Sequence, residues 1–285
     1  MNNIINGTEI AKNIKDQLKL EIEKINDKKP CLAVIIVGND EASHIYVKNK
    51  NKACDYVGIK SDTYFLNSNI SETELIQLIE KLNNNEEVNG ILVQLPLPSH
   101  INEKNILLKI NPLKDVDGFH PYNIGMLSTN SAKLKSCTPS GCMELLKRYN
   151  VDIKGKNALV IGRSNIVGKP ISMMLLNEDA TVTTAHSKTK NLEYLTKNAD
   201  IIIVAVGIAN FLKPHMIKDG VVLIDVGMNR AKDGNLCGDI DFECSQKASL
   251  ITPVPGGVGP MTITMLMKNC LTAYKIQNNI NIEED

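Results

Sequence analysis

The stretch NALVIGRSNIVGKPISMMLL, residues 157–176, decides how the second half of the chain is read. Its opening is a short apolar run that ends in glycine, the pattern of a buried strand. A polar turn bracketed by Gly162 and Gly168 follows, and then a helical run. At such a strand-to-helix turn, backbone N–H groups and the helix dipole can hold a phosphate. The spacing is not GxGxxG: the turn is longer and carries Arg163 and Ser164. A glycine after a strand is also an ordinary way to make a tight turn, so its surroundings must decide.

Outward from this stretch the pattern repeats. TVTTAHS (181–187), DIIIVAVG (200–207) and VVLIDVG (221–227) read as further strands, with a short helix and then a further helix between them. Four strands in a row of strand–helix units predict a Rossmann-like domain. At the end of its second strand an NAD enzyme would present an acid to the ribose hydroxyls. Here Ser187 and Lys188 stand there, with Arg163 available from the preceding turn, a set suited to an extra 2′-phosphate. The expected cofactor is NADP.

The first half also alternates. Ile10, Ile14, Leu18, Ile22 and Ile25 recur at helical spacing, and CLAVIIVG (31–38) is a bounded apolar run expected as a strand. A helix over SHIYVKNK (43–50), a strand near SDTYFL (61–66), a capped helix SETELIQLIEKL (71–82) and a strand GILVQL (90–95) follow. NPLKDVDGFHPYNIGML (111–127) reads as loop-rich. The expected class is α/β, with an N-terminal α/β domain over residues 1–137 plus 260–285 and a Rossmann-like NADP-binding domain over 138–259. The last amphipathic stretch, PMTITMLMKNCLTAYKI (260–276), is expected to return to the first domain.

Composition narrows the function classes. Lysine plus arginine equals aspartate plus glutamate at 32 each, without the broad basic field of a nucleic-acid binder. No apolar run approaches the roughly 18 residues of a membrane helix. The start, MNNIINGTEIAKNIKDQL, reads as neither signal nor transit peptide, so a cytoplasmic protein is expected. Seven cysteines form no CxxC pair and lie at no metal-ligand spacing, so they read as reduced packing thiols and no metal is expected. A small-molecule ligand is the better default.

Several polar residues lack an obvious structural reason. Ser43, Tyr46 and Lys50 share one side of a helix, at spacings of three and four. Gln94 ends an apolar strand just before LPLP, Asp115 and Asp117 sit in a loop, and TPVPGGVGP (252–260) is a close-approach loop before a helix. Each alone also fits a solvated face, a strand end or a turn.

Together, SHIYVKNK, GILVQLPLP, KDVDGFHPYNIG, CTPSGCMELL, GRSNIVGKP, HSKT and ITPVPGGVGPMT strongly resemble the bifunctional methylenetetrahydrofolate dehydrogenase/cyclohydrolase family over nearly the whole chain. The resemblance implies a two-step conversion in one pocket between the domains. Methylenetetrahydrofolate is oxidised by NADP to the methenyl cation, which water opens to 10-formyltetrahydrofolate. By the same resemblance Lys50 is the catalytic lysine, Tyr46 packs beside the folate, Gln94 positions the lysine and Asp117 binds the pterin. Pro255, Gly256 and Gly257 go with the substrate. Gly162, Arg163, Ser164 and Ser187 are cofactor positions, and Met228 stands near the nicotinamide half where many relatives have isoleucine. A homodimer is implied.

The chemistry suits these roles. Oxidising a methylene flanked by two nitrogens needs alignment rather than a strong base. Opening the cation needs proton transfers, which suit a lysine in a partly desolvated pocket. A dehydrogenase of amino or hydroxy acids would instead need a cationic clamp for a carboxylate, whereas Asp117 suits an amino-pyrimidine edge. A sensor without chemistry would have no use for the set Tyr46, Lys50 and Gln94.

Overall fold

Cys31–Val37 is buried along its whole length and becomes the central strand of a three-stranded parallel sheet. Both faces of such a strand are covered, so it reads as an unbroken apolar run. A computed structural model describes residues 3–231 and 234–282, apart from the side chains of residues 41–45. The side chain of Ser43 therefore lies outside the described residues.

The described residues fall into two units. One comprises residues 13–137 and 263–285. Its elements, in chain order, are α1 (Gly7–Glu23, most of whose length lies here), β1 (Cys31–Val37), α2 (Glu41–Val57), β2 (Lys60–Leu66), α3 (Glu72–Asn83), β3 (Gly90–Val93), α4 (Glu103–Lys109) and α5 (Pro121–Ser128). The strand order is β2-β1-β3. Leu75, Ile79 and Leu82 of α3 pack in one core with Ala33, Ile35 and Ile91. The helix starts at a capping box: Ser71 Oγ accepts from the Glu74 N–H at 3.2 Å, and the Ser71 N–H donates to Glu74 at 2.9 Å.

The other unit comprises residues 1–12 and 138–262. Its elements are α6 (Cys137–Arg148), β4 (Asn157–Ile161), α7 (Gly168–Asn177), β5 (Thr181–Ala185), α8 (Leu192–Asn198), β6 (Ile201–Val204), β7 (Val222–Asp225), the short pair β8 (Asn229–Arg230) and β9 (Leu236–Cys237), and β10 (Leu250–Ile251). All five strands of its sheet are parallel, in the order β10-β7-β6-β4-β5. The last helix, α9 (Val258–Gln277), begins here and runs on into the other unit's residues.

Several features differ from the sequence-based expectation. Residues 1–12, expected in the first domain, belong with 138–262, because the Ile5 N–H donates to Ile251 O and the Ile251 N–H to Asn3 O. β10 escapes notice because two residues carry no periodicity. The further helix expected between β6 and β7 is only a three-residue 3₁₀ turn, Pro214–Met216. Conversely, the segment expected as loop-rich contains α5, which starts at Pro121, with the His120 ring nitrogen accepting from the Tyr122 N–H.

The cysteines are free, and Cys31, Cys54, Cys137, Cys142, Cys244 and Cys270 are buried. Among the described residues no group of side chains is set to hold a metal ion, and no helix is long and apolar enough to cross a membrane.

Candidate active site

In the first unit, α2 and the end of β3 bring together three of the expected side chains. Lys50 is only 5 % exposed, so its ammonium must find partners. Its Nζ donates to Gln94 Oε1 at 3.1 Å and lies 5.0 Å from the centre of the Tyr46 ring. Tyr46 and Lys50 are four residues apart, which on a helix stacks them on one face. Gln94 continues the ladder beyond β3, its N–H donating to Ile35 O at 2.8 Å. Its amide nitrogen is turned to Leu95 O at 2.7 Å. A lysine can only donate, so this orientation gives it the amide oxygen.

The adjoining loop separates the two aspartates by role. Asp115, 1 % exposed, accepts from the His120 N–H and from Asn123 Nδ2, each at 2.8 Å, and so braces the turn. Asp117 is half-buried. Burial pushes its carboxyl up to about 6, partly opposed by the charge of Lys50; Asp115 pushes the same way as burial, and a hydrogen bond from the Cys137 thiol opposes it. The structure thus brings Asp117 within electrostatic reach of Lys50. A methyl group at Gly118 would stand 2.5 Å from the Ser136 nitrogen, and its φ of +71° favours glycine, so the loop can close here only with glycine. Asn269 of α9 donates to Val116 O and Lys135 O, both at 2.8 Å, which fixes the strands of chain flanking Asp117.

Cys137 and Asn269 were not singled out from the sequence, and Asp115 was noted only beside Asp117 in its loop, without a role of its own. Cys137 lay inside the quoted CTPSGCMELL, but nothing in that string shows that it faces Asp117. Asn269 has no local signal at all, lying mid-helix more than 130 residues from the carbonyls it holds.

The expected cofactor residues lie in the other unit, at the carboxyl ends of β4, β5 and β7. Gly162 follows β4 with φ +130°, and a methyl group there would stand 2.4 Å from Ala205 O. One at Gly168 would stand 2.3 Å from Gly162 O. These contacts explain both glycines of the turn. Ser164 Oγ accepts from the N–H groups of Val167 and Gly168, at 3.1 and 3.3 Å, leaving its own O–H to donate outward. Arg163 is exposed beside it.

After β5, His186 N–H donates to Thr189 Oγ1 at 2.9 Å and Lys188 N–H to His186 Nδ1 at 3.2 Å. The exposed Ser187 is carried on this tied turn, and no carboxylate stands in HSKTK (186–190). Met228, 58 % exposed, follows β7. The glycine cradle, outward hydroxyls and exposed arginine fit a dinucleotide with an added phosphate.

Pro255, Gly256 and Gly257 also belong to this second unit. The Thr8 N–H donates to Gly256 O at 3.0 Å, and a methyl group at Gly7 would stand 1.9 Å from Gly257 O. The first turn of α1 therefore holds this loop by a backbone approach that only glycine permits.

Two family profiles match the chain: tetrahydrofolate dehydrogenase/cyclohydrolase, catalytic domain, over residues 5–117, and tetrahydrofolate dehydrogenase/cyclohydrolase, NAD(P)-binding domain, over residues 136–278. A curated relative from Agathobacter rectalis, bifunctional protein FolD, is 55% identical over 278 residues, covering 96% of this chain and 100% of that protein. The crystal structure of bifunctional FolD methylenetetrahydrofolate dehydrogenase/cyclohydrolase from Campylobacter jejuni is 50% identical with a TM-score of 0.93, covering 96% of this chain and 98% of the other. The corresponding Trypanosoma brucei enzyme, complexed with NADP cofactor and inhibitor, is 38% identical with a TM-score of 0.91, covering 96% and 97%.

Proposed function

The chain belongs to the tetrahydrofolate dehydrogenase/cyclohydrolase family, and from that premise we propose how its residues divide the work. The protein oxidises 5,10-methylenetetrahydrofolate to the 5,10-methenyl compound with NADP, and hydrolyses that product to 10-formyltetrahydrofolate. NADP, when bound, supplies the hydride acceptor. Gly162, Arg163, Ser164 and Ser187 hold it, with Met228 at its nicotinamide half. The absence of an acid after β5, where NAD would want one, supports NADP over NAD.

The observation that carries the site assignment is Lys50, buried, hydrogen-bonded to Gln94 and set over the Tyr46 ring. In the hydrolysis, water bonds to the methenyl carbon and gives up both protons as its oxygen becomes the formyl carbonyl; the bond from that carbon to N5 breaks, N5 takes one proton and the other leaves to solvent. Lys50 mediates these transfers, with Gln94 fixing its direction and Tyr46 flanking the folate. Asp117, as the carboxylate, accepts from the amino-pyrimidine edge of the pterin. A role for Pro255, Gly256 and Gly257 toward the substrate is part of the same proposal.

We also propose that the chain works in the cytoplasm as a homodimer. The free thiols support a reducing compartment. The dimer rests on the family resemblance, and sedimentation at working concentration tests it. The assignment of substrate, cofactor and second step is tested in one coupled assay, with methylenetetrahydrofolate and each nicotinamide cofactor, following reduced cofactor and methenyl absorbance together. Equal use of NAD would overturn the cofactor preference.

A further inference from the structure

Asp239 lies between β9 and β10, outside every motif read from the sequence, and is fully buried. A buried carboxylate is costly unless its lone pairs are filled. Here four donors fill them. Oδ2 accepts from the N–H groups of Val206 and Gly207 at 2.6 and 2.9 Å. Oδ1 accepts from the Ile208 N–H and from Asn229 Nδ2, both at 2.9 Å. The first three donors are the loop leaving β6, and the fourth belongs to the segment leaving β7.

Asp239 is itself held by a second buried carboxylate. Asp225, the last residue of β7, accepts from the N–H groups of Gly227 and Asp239 on Oδ1, each at 2.9 Å, and from the Ile240 N–H on Oδ2 at 2.8 Å. There is no slack around the pair. A methyl group at Gly227 would stand 2.2 Å from Asp239 Oδ1, and one at Gly238 would stand 1.8 Å from Asp225 Oδ2.

The two loops so tied expose large apolar side chains, Ile208 at 53 % and Met228 at 58 %. They lie at the carboxyl ends of neighbouring parallel strands, where open α/β sheets take their ligands. Exposed side chains of this size at a ligand-binding edge suit a flat, weakly polar ring. We propose that Asp239 is a positioning residue for the cofactor. Its carboxylate fixes Val206–Ile208 and Asn229, and through them the apolar surface that Ile208 and Met228 offer the nicotinamide half. This rests on the reading above that the unit binds NADP with Met228 at that half.

Asp239→Asn keeps the shape but turns an NH₂ group toward N–H donors, so the loops lose part of their anchor. The test compares KM for NADP and kcat in the oxidation with the hydrolysis of methenyltetrahydrofolate measured without nicotinamide. KM for NADP is expected to rise about tenfold or more, with hydrolysis at the wild-type rate. An unchanged KM for NADP, or an equal fall of both activities, would show that Asp239 serves only the fold. Should Asp239→Asn not fold, Asn229→Ala removes one donor and leaves the three backbone bonds. It is expected to raise the NADP KM by a smaller factor, about threefold, and an unchanged value overturns the proposal. A wild-type protein without NADP-dependent oxidation would instead overturn the functional reading.

Discussion

Lys50 Nζ and Gln94 Oε1 lie 3.1 Å apart, joining α2 to the end of β3 in a single hydrogen bond between a buried lysine and a half-buried glutamine. Each step asks something different of that pair. Alignment dominates the oxidation, whereas the hydrolysis also needs a group that carries protons. Lys50→Gln keeps much of the length and hydrogen bonding but removes the ionisable amine. It is expected to lower cyclohydrolase activity by about 10²-fold or more while leaving measurable dehydrogenase activity. Methenyltetrahydrofolate should accumulate in the coupled assay. Wild-type hydrolysis by the variant would return Lys50 to a binding role.

The carboxyl of Asp117, pushed up to about 6 by burial, ties activity to pH. If the carboxylate form binds the pterin, kcat/KM for folate in both activities should fall as pH drops through about 6. Asp117→Asn should flatten that limb and depress both activities at neutral pH, with NADP binding nearly unchanged. Stability runs the other way. The folded chain takes up this proton near 6, and the unfolded chain only near 3.8, so this group's contribution is full below 3.8 and lost as pH rises through 6. A retained acid limb in the variant would point to a different group.

Arg163 gives the test of cofactor choice. Arg163→Ala should weaken NADP by about 1.5–3 kcal/mol, the range for a lost charged hydrogen bond, and NAD far less. Titration with each cofactor reads this directly. Equal weakening would mean that the arginine meets a phosphate common to both.

Asn269 braces the Asp117 loop from α9. Asn269→Leu leaves the carbonyls of Val116 and Lys135 without that donor and should cost about 1–3 kcal/mol in stability. The folate KM should rise in both activities while the NADP KM holds. Thermal unfolding with normal folate kinetics would mean that the loop keeps its shape without the asparagine.

Strands such as Cys31–Val37 and Ile201–Val204 were legible because burial on both faces leaves an unbroken apolar signature. The glycine turn at Gly162 and Gly168 was legible for a similar reason: contacts of 2.3 to 2.4 Å to neighbouring carbonyls leave no room for a side chain. α5 was missed because its Pro and Gly content resembles a loop, although proline at a first helical turn is favourable. Asp115 and Asp117 look alike in the string DVD. Only the fold shows that one is spent on the His120 N–H and the Asn123 amide of its own turn while the other lies within electrostatic reach of Lys50. Asn269 and Asp239 were beyond reach because their partners lie far along the chain or in loops without a pattern of their own.

The sulfur chemistry follows from packing alone. Burial pushes the thiols of Cys54, Cys142 and Cys244 up to about 12 and that of Cys31 to about 11, with Cys137 and Cys270 raised well above the ordinary value. A thiol reagent reacts with the thiolate, so the folded chain should label quickly at no more than Cys237, whose side chain is partly exposed. Every later labelling event then records a moment when part of a core has opened. Cys137 and Cys244 sit in different units, so their separate labelling rates would serve as two clocks in one molecule, one timing the surroundings of Asp117 and the other timing the sheet behind the cofactor turn.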